Sequence, residues 1–524
     1  MIKSKIKGLI KKAIETTYPK AKNPQFQVDI ANPKFGDYST NAALVLAKRV
    51  GERPEAIAQK IAATLSQEEI FEAVEVAKPG FVNFKIAHRF LQKQIFKIIK
   101  AGKEYGNTDL GQDLKVNIEF ISANPTGPLT LGNGRGGYCG DCLANVLEAF
   151  GAKVEREYYI NDRGAQIIKL GHSVLKDVHA VYKGIYIDEL ARKISAKDPE
   201  KAGQEAAAII IEELIKKTIL KMGIKFDHWF SQSALYDGEI EHVLGILKNL
   251  GFCYEKDDAL WLKTSQFGDD KDRVLITEEK EFTYFASDIA YHWKKMSRGY
   301  NLLIDFWGAD HHGYVKRMQA AIEILRQKNN WSGNLKILIA QFVRLISKGQ
   351  KVKMSKRRGT YVTLDELIDE AGSDVTRFFF LERALPTHLD FDLDLAKERS
   401  EKNPVYYVQY AYARISSILA KAKTQKESSA ENLKLIKEPA EVALIKELIK
   451  LPDLVIKTAE DYQVQRLPYY SVELATRFHN FYEKCRVISE DENLTSARIE
   501  LIKATQIVLK KTLDLMGISA PEKM

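Results

Sequence analysis

Four cysteines in 524 residues are too few and too scattered for a disulfide framework, which points to a reducing cytosol. Cys139 and Cys142 form C-x-x-C, but Cys253 and Cys485 stand alone, so the second pair that a structural zinc site wants is missing. The pair reads as two small packing residues on a helix, with a thioredoxin-type redox pair as the other option. No apolar run reaches the roughly 20 residues that cross a bilayer, so no membrane partner is expected. Internal repeats and long low-complexity segments are also lacking. The opening MIKSKIKGLIKKAIETTYPK has no arginine and no signal-peptide core. It is expected to be the first helix of a domain, with Ile2, Ile6, Leu9, Ile10, Ala13 and Ile14 on one face, and not a transit peptide. A net charge of +9 is mild for the length; it suits a polyanionic partner without requiring one.

With 45% hydrophobic and 28% charged residues the chain has the balance of a soluble globular protein, and its length calls for several domains. Residues 1–110 mix helical periodicity (2–17, 39–50, 54–65) with strand-like runs such as FVNFKI at 81–86, an α+β pattern. The polar, glycine-bearing 101–113 is a linker. From 111 to 390 strands (VNIEFI, NLLIDFW, LKILIAQFVRLI) alternate with helical stretches, which predicts a Rossmann-like parallel sheet in a multidomain α/β protein. Residues 165–280 look like an insertion, with a long helical run at 202–222. From 391 to 524 glycine almost disappears and i, i+3, i+4, i+7 apolar spacing dominates, an all-α helical bundle. Its polar stretch at 421–434 is expected to connect two long helices.

The sharpest chemical signal is SANPTGPLTLGNGRGGY at 122–138, straight after VNIEFI. Gly132, Gly134 and Gly137 give G-x-G-x-x-G, and a helix is expected over 137–151. Glycines let a backbone approach a ligand, and free amides at a helix start attract phosphate. A dinucleotide site fits that much, with Glu155 or Glu157 as the ribose acid. Two features turn the reading to ATP. The turn from Asn124 to Pro128 separates strand from glycines, whereas the dinucleotide fingerprint follows its strand directly. And KGQKVKMSKRRGT at 348–360 concentrates Lys353, Lys356, Arg357 and Arg358 in one loop, which suits neutralisation of a triphosphate under attack.

PTGPLTLGNGRG resembles the His-x-Gly-His region of class I aminoacyl-tRNA synthetases, and KMSK is identical to their second signature. More narrowly, YYINDRGAQI (158–167), FDHWFSQSALY (226–236), FGDDKDRVL (267–275), TYFASDIAYH (283–292), WGADHHGYVKRM (307–318), NPVYYVQYAYARI (403–415) and the terminal MGISAPEKM are similar to the arginyl-tRNA synthetases. NPKFGDYSTNAALVLAK (32–48) and KPGFVNFKI (78–86) resemble that family's extra N-terminal domain. The resemblance spans essentially the whole chain. It implies ATP-dependent activation of L-arginine to the adenylate, transfer to the terminal ribose of tRNA(Arg), Mg²⁺, a requirement for tRNA before activation, a cytoplasmic location, and a monomer. It also implies that the N-terminal domain touches the outer corner of the tRNA and the bundle its anticodon.

On this resemblance Lys353 and Lys356, with Ser355 ordering their loop, stabilise the leaving pyrophosphate. The signature segment is Ala123, Asn124, Pro125, Thr126, Gly127, Pro128, Leu129, Thr130, Leu131, Gly132 and Asn133. Within and beside it Pro128, Leu131, Gly132, Gly134 and Arg135, together with Met354, are expected to hold ATP. Asp288 is the planar carboxylate a guanidinium wants, and Tyr284 shares its helical face four residues earlier. Ser122 and Asn124 match positions holding the substrate's α-amino and carboxylate ends. His311 and His312, after NLLIDFW, fall where relatives often carry a substrate-binding Gln. Tyr406, Tyr407, Tyr410 and Tyr412 crowd Arg414, a composition that suits base stacking or ordinary bundle core. The chain departs from the family where both signature histidines are replaced, by Thr130 and Asn133. Either these neutral donors suffice, with Arg135, His311 or His312 adding charge, or the enzyme is slower, or the chain is a tRNA- or arginine-binding paralogue without activation.

Overall fold

The computed structural model describes every residue except 22, 23, 33, 330, 352–362, 423–428 and 430. The N-terminal unit contains α1 (Ile2–Thr17), β1 (Val28–Ile30), β2 (Tyr38–Thr40), α2 (Ala42–Val50), α3 (Pro54–Leu65), β3 (Phe71–Ala77), β4 (Phe81–Ile86) and α4 (His88–Ala101). Its antiparallel sheet runs β1-β2-β4-β3. Ile2, Ile6, Ile10, Ala13 and Ile14 of α1 are buried, as the sequence spacing indicates. The helix expected from 39 starts at Ala42 instead, because Tyr38–Thr40 pair with Phe84–Val82 as a strand.

The central unit begins with β5 (Lys115–Glu119), α5 (Leu131–Phe150) and β6 (Lys153–Ile160). Four helices follow, α6 (Ala165–Leu175), α7 (Ile185–Ala191), α8 (Pro199–Ile210) and α9 (Lys216–Lys221), before β7 (His228–Ser231). Next come α10 (Glu239–Asn249), β8 (Cys253–Lys256), β9 (Ala259–Leu262), β10 (Arg273–Ile276), α11 (Tyr284–Ser297), β11 (Leu302–Gly308), α12 (Val315–Asn329) and β12 (Asn334–Ala340). The sheet order is β12-β11-β5-β6-β7, all parallel. The stretch expected as one insertion is thus two excursions, because β7 returns to the edge of the main sheet between them. The run LKILIAQFVRLI likewise divides. Only β12 joins the main sheet, while β13 (Val343–Ser347) pairs with β14 (Gln350–Lys351) and, beyond α13 (Leu364–Ala371) and α14 (Ser373–Leu381), with β15 (Leu389–Asp392).

After α15 (Leu393–Lys397) the chain is helical: α16 (Pro404–Lys421), α17 (Pro439–Leu448), α18 (Leu451–Asp461), α19 (Arg466–Lys484) and α20 (Glu492–Met516). Asn403 caps α16, whose first residue is proline, the residue type that tolerates a missing first-turn amide bond. This bundle is tied back to the N-terminal unit by Gln92 Nε2 donating to Ile436 O at 2.8 Å and by the Lys446–Asp37 ion pair at 2.6 Å.

Gly132, Gly134 and Gly137 do not form a loop; they lie inside α5. Their lack of a side chain serves packing. A Cβ on Gly134 would come 2.7 Å from Leu364 Cδ1, one on Gly137 2.8 Å from Met222 Cε, and one on Gly140 2.5 Å from Phe120 Cγ. The helix is therefore pressed against the end of β5 and against α13. Gly140→Ala is expected to destabilise the protein by about 1–3 kcal/mol, the range for overpacking, read as a lower urea midpoint at unchanged slope. Cys139 and Cys142 sit in this helix, buried and unpaired, with the Cys139 thiol pushed up to about 11 by burial. That is the packing role and not a redox pair.

Candidate active site

Beyond Glu119 the backbone turns sharply: Ile121 (φ 68°) and Ser122 (φ 34°) are both left-handed, an uncommon conformation that for a β-branched residue costs of order 1–3 kcal/mol. The turn brings Ser122 Oγ to the N–H of Tyr159 at the end of β6 (3.0 Å). Tyr158 Oη then donates to Ala123 O at 3.0 Å, and Asn161 Nδ2 donates to Asn124 Oδ1 at 2.8 Å. Ser122 and Asn124 thus stand at the carboxyl edge of the parallel sheet, where open α/β folds place ligands.

Farther along, Thr130 is the N-cap of α5. Both its N–H and its hydroxyl donate to Asn133 Oδ1, at 2.9 and 2.8 Å. The expectation that Thr130 donates to phosphate is therefore corrected: its donors are spent on the helix cap, and the Asn133 amino group is what this pair leaves to offer. Leu131 and Gly132 contribute first-turn amides rather than a loop. Pro125, Thr126, Gly127 and Pro128 form the approach to the helix, with Thr126 O accepting from Tyr186 Oη at 3.0 Å and Gly127 against that ring.

Arg135 is the second correction. It is 0% exposed, and Nη2 donates to Ala384 O and Thr387 O, both at 2.8 Å, and more weakly to Leu385 O. It staples the segment after α14 to α5 and cannot meet a nucleotide in solvent. Gly134 is likewise buried under Leu364.

Lys353, Met354, Ser355 and Lys356, with Arg357 and Arg358, lie outside the described residues. The chain on either side of them is described. Lys348 and Gly349, both at positive φ, make the two-residue turn from β13 to β14 that leads in. On the way out, Thr363 bridges Thr130, and Leu364 N–H donates to Leu129 O at 2.9 Å. The exit of the basic segment is therefore hydrogen-bonded to the signature segment, although more than 230 positions separate them.

The second pocket wall is α11. Thr283 caps it, accepting from Ala286 N–H at 3.3 Å. Tyr284 and Asp288 share a face, as their spacing predicts. Tyr284 is 51% exposed and its hydroxyl lies over Gly164 (φ +83°), where a Cβ would come within 2.8 Å. Asp288 Oδ2 accepts from Tyr314 Oη at 2.7 Å, while Oδ1 has no hydrogen-bond partner among the described residues. Burial pushes Asp288 up to about 6, opposed by the Tyr314 hydrogen bond and by His292. The other acids nearby are spent: Asp162 accepts from Ser231 and Ser233, Glu119 and Asp305 from Lys295, Glu157 from Tyr291 and Asn117. Around Asp288, Tyr159 Oη and Gln232 Oε1 are buried without partners, as is Asn161 Oδ1 beside Asn124.

His311 and His312 lie on the short turn Ala309–Tyr314, both exposed; His311 sits 3.5 Å from Asp310 and is close enough to lower the pKa of Asp288. Tyr314, Gly164 and Gln232 escaped the sequence reading as individual residues. All three fall within or beside the quoted similar segments, but nothing in local spacing announces that position 314 meets position 288. In the bundle, Tyr406 and Tyr410 stack at 6.2 Å and 9°, Arg414 lies over Tyr410 (4.7 Å) and Tyr482 (4.9 Å), and Tyr412 is core.

Three family descriptions match in chain order: the arginyl-tRNA synthetase N-terminal domain over residues 4–86, the class I (R) tRNA synthetase catalytic domain over 186–381, and the DALR anticodon-binding domain over 408–524. The arginine–tRNA ligase of Aquifex aeolicus is 40% identical, with all of both chains covered, and that of Syntrophotalea carbinolica is 42% identical over 96% of this chain and 95% of its own. The structure of Thermus thermophilus arginyl-tRNA synthetase superposes with a TM-score of 0.80 over all of both chains at 21% identity, a likeness of fold. With identity at this level along the full chain, the protein belongs to the arginyl-tRNA synthetase family.

Proposed function

We propose that the protein is an arginine–tRNA ligase. The carboxylate of L-arginine attacks the α-phosphate of ATP, pyrophosphate leaves, and the arginyl group passes to the 3′ ribose of tRNA(Arg) with release of AMP. One observation carries the reading: Asp288 Oδ1 has no hydrogen-bond partner among the described residues, and the side chain stands one helical turn from Tyr284 on the same wall. A guanidinium offers five N–H donors in a plane. It would pair with Asp288 Oδ1, stack on Tyr284, and reach the buried acceptor left open on Gln232. Ser122 and Asn124 then face the α-amino and carboxylate end.

No nucleophilic side chain is required, since the substrate's own carboxylate attacks; catalysis is positioning and charge stabilisation. The α5 amides and Asn133 would take the phosphates from one side, and Lys353, Ser355 and Lys356 from the other. Mg²⁺ would arrive with the nucleotide. It would be carried largely by the substrate phosphates and water. Residues 1–110 would meet the outer corner of the tRNA, 111–390 would carry the chemistry, and the Tyr406–Tyr410–Arg414 ladder in 391–524 would receive unpaired anticodon bases.

The pocket sets a pH dependence. Asp288 has a raised folded-state value, so the fold favours its protonated form, and the guanidinium favours the ionised form. Arginine affinity should fall about tenfold per pH unit below 6 and be flat above it. Saturating arginine should raise the melting temperature more at pH 7 than at pH 5, measured by thermal shift.

The function itself is tested by charging. Purified protein with ATP, Mg²⁺, labelled arginine and tRNA should yield acid-precipitable, base-labile arginyl-tRNA. Charging with another amino acid instead, or none, would refute it.

A further inference from the structure

His292 sits at the back of the arginine pocket, 97% or more buried, one turn after Asp288 on α11. Nδ1 lies 2.8 Å from the Asp288 carbonyl oxygen and Nε2 lies 2.7 Å from Asp305 Oδ2. A carbonyl and an ionised carboxylate only accept, so both ring nitrogens must donate. The geometry therefore describes an imidazolium, not a neutral ring. Charge accounting agrees. Lys295, also fully buried, reaches Glu119 Oε2 at 2.5 Å and Asp305 Oδ1 at 2.8 Å. One ammonium against two carboxylates leaves a net negative charge inside the sheet, directly behind Asp288. A protonated His292 closes that deficit.

We propose that His292 is a positioning residue for arginine recognition: a buried imidazolium that pins the Asp288 backbone and serves as the internal counter-ion that lets Asp288 stay ionised while its pocket is empty. The proposal rests on the assignment of Asp288 as the guanidinium acceptor.

The other groups facing this pair do not replace it. On α11 itself, Tyr291 donates to Glu157, an acid that β6 also brings against Arg298. The phenols of Tyr159, Tyr236 and Tyr314 stay neutral, Tyr314 beneath the guanidinium of Arg317. His311 is solvent-exposed and Asp162 is held by two serines. Among the described residues, His292 is the buried cation whose ring bonds to the Asp288 backbone carbonyl, and it is among the charges that hold the Asp288 carboxyl down against its burial.

The test is the pH profile of the arginine KM in pyrophosphate exchange for the full-length enzyme and His292→Gln. In the variant the acid limb should move up by at least about one pH unit, so that KM is raised about fivefold or more at pH 6 and about twofold or more at pH 7 and returns toward the wild-type value at pH 8.5, with the ATP KM within about twofold throughout. A defect that is constant from pH 6 to 8.5, or no defect, overturns the proposal. Asp288→Asn run alongside separates the two readings. An unaltered arginine KM in that variant overturns the pocket, whereas an impaired one together with a pH-independent His292→Gln overturns the role of His292 alone. If the variant does not fold, the wild-type protein still decides. With ¹⁵N-labelled histidine, one of the ten rings should remain doubly protonated at pH 8.5. Ten neutral rings overturn the proposal.

Discussion

Replacing Asp288 by asparagine is expected to raise the arginine KM by about 10²–10³-fold while leaving the ATP KM within about twofold. The size follows from what is removed. A guanidinium–carboxylate pair held away from bulk water is charge-assisted, and truncating one partner of such a pair costs about 2–5 kcal/mol, much of it the penalty of stranding the other charge. Asparagine keeps the shape and can still accept from Tyr314, so the hydrogen bond that fixes the side chain survives and the protein should fold normally. No neighbour can substitute, because Asp162, Glu119, Asp305 and Glu157 are each committed to other donors. Steady-state charging over a range of arginine concentrations measures it. Unchanged arginine kinetics would discredit the pocket.

Lys356→Ala should slow adenylate formation by about 10²–10³-fold in single-turnover experiments, the loss typical of removing one preorganised donor from a developing charge. The groups on the α5 side of the proposed nucleotide site are the reason for this expectation. Thr130 has spent its donors on Asn133, Arg135 is sealed against three carbonyls, and the α5 amides are dipoles without net charge. On the proposed reading, the cationic share of phosphate neutralisation would fall to Lys353 and Lys356. Their segment leaves the described chain at Lys351 and re-enters at Thr363, hydrogen-bonded to Leu129 and Thr130. An enzyme that retained signature histidines would have a second source of charge, and the same substitution would cost less. A Lys356→Ala variant with wild-type adenylate formation would mean that phosphate is neutralised elsewhere.

The sequence disclosed what is local. Isoleucine spacing in α1, the proline-led start of α3 and the alternation in FVNFKI are short-range patterns, and each element runs over the residues expected. So did the Tyr284–Asp288 pair, because i, i+4 on a helix is a local relation. The misreadings share a cause in tertiary context. Gly132 and Gly134 looked like loop residues ahead of a helix starting at 137, but α5 already begins at Leu131 and uses Gly134 to approach Leu364 and Gly137 to approach Ile121, contacts invisible in a one-dimensional pattern. The apolar run at 335–346 gave no sign of dividing, and what divides it is the pairing of β13 with β15, some 46 residues on. The resemblance places Arg135 among the residues that hold ATP. Its true partners, Ala384 and Thr387, lie about 250 positions away. Tyr314 on Asp288 and Leu364 on Leu129 belong to the same class of distant contact.

Arginine-dependent exchange of labelled pyrophosphate into ATP, with tRNA(Arg) present, tests the central claim most directly, because it requires the signature segment, the basic segment and the Asp288 pocket to act on one adenylate. The account predicts exchange that depends on arginine and, at subsaturating arginine, falls about 10²-fold or more in both Asp288→Asn and Lys356→Ala. Background exchange with the unaltered enzyme, or equal exchange with a different amino acid, would contradict it.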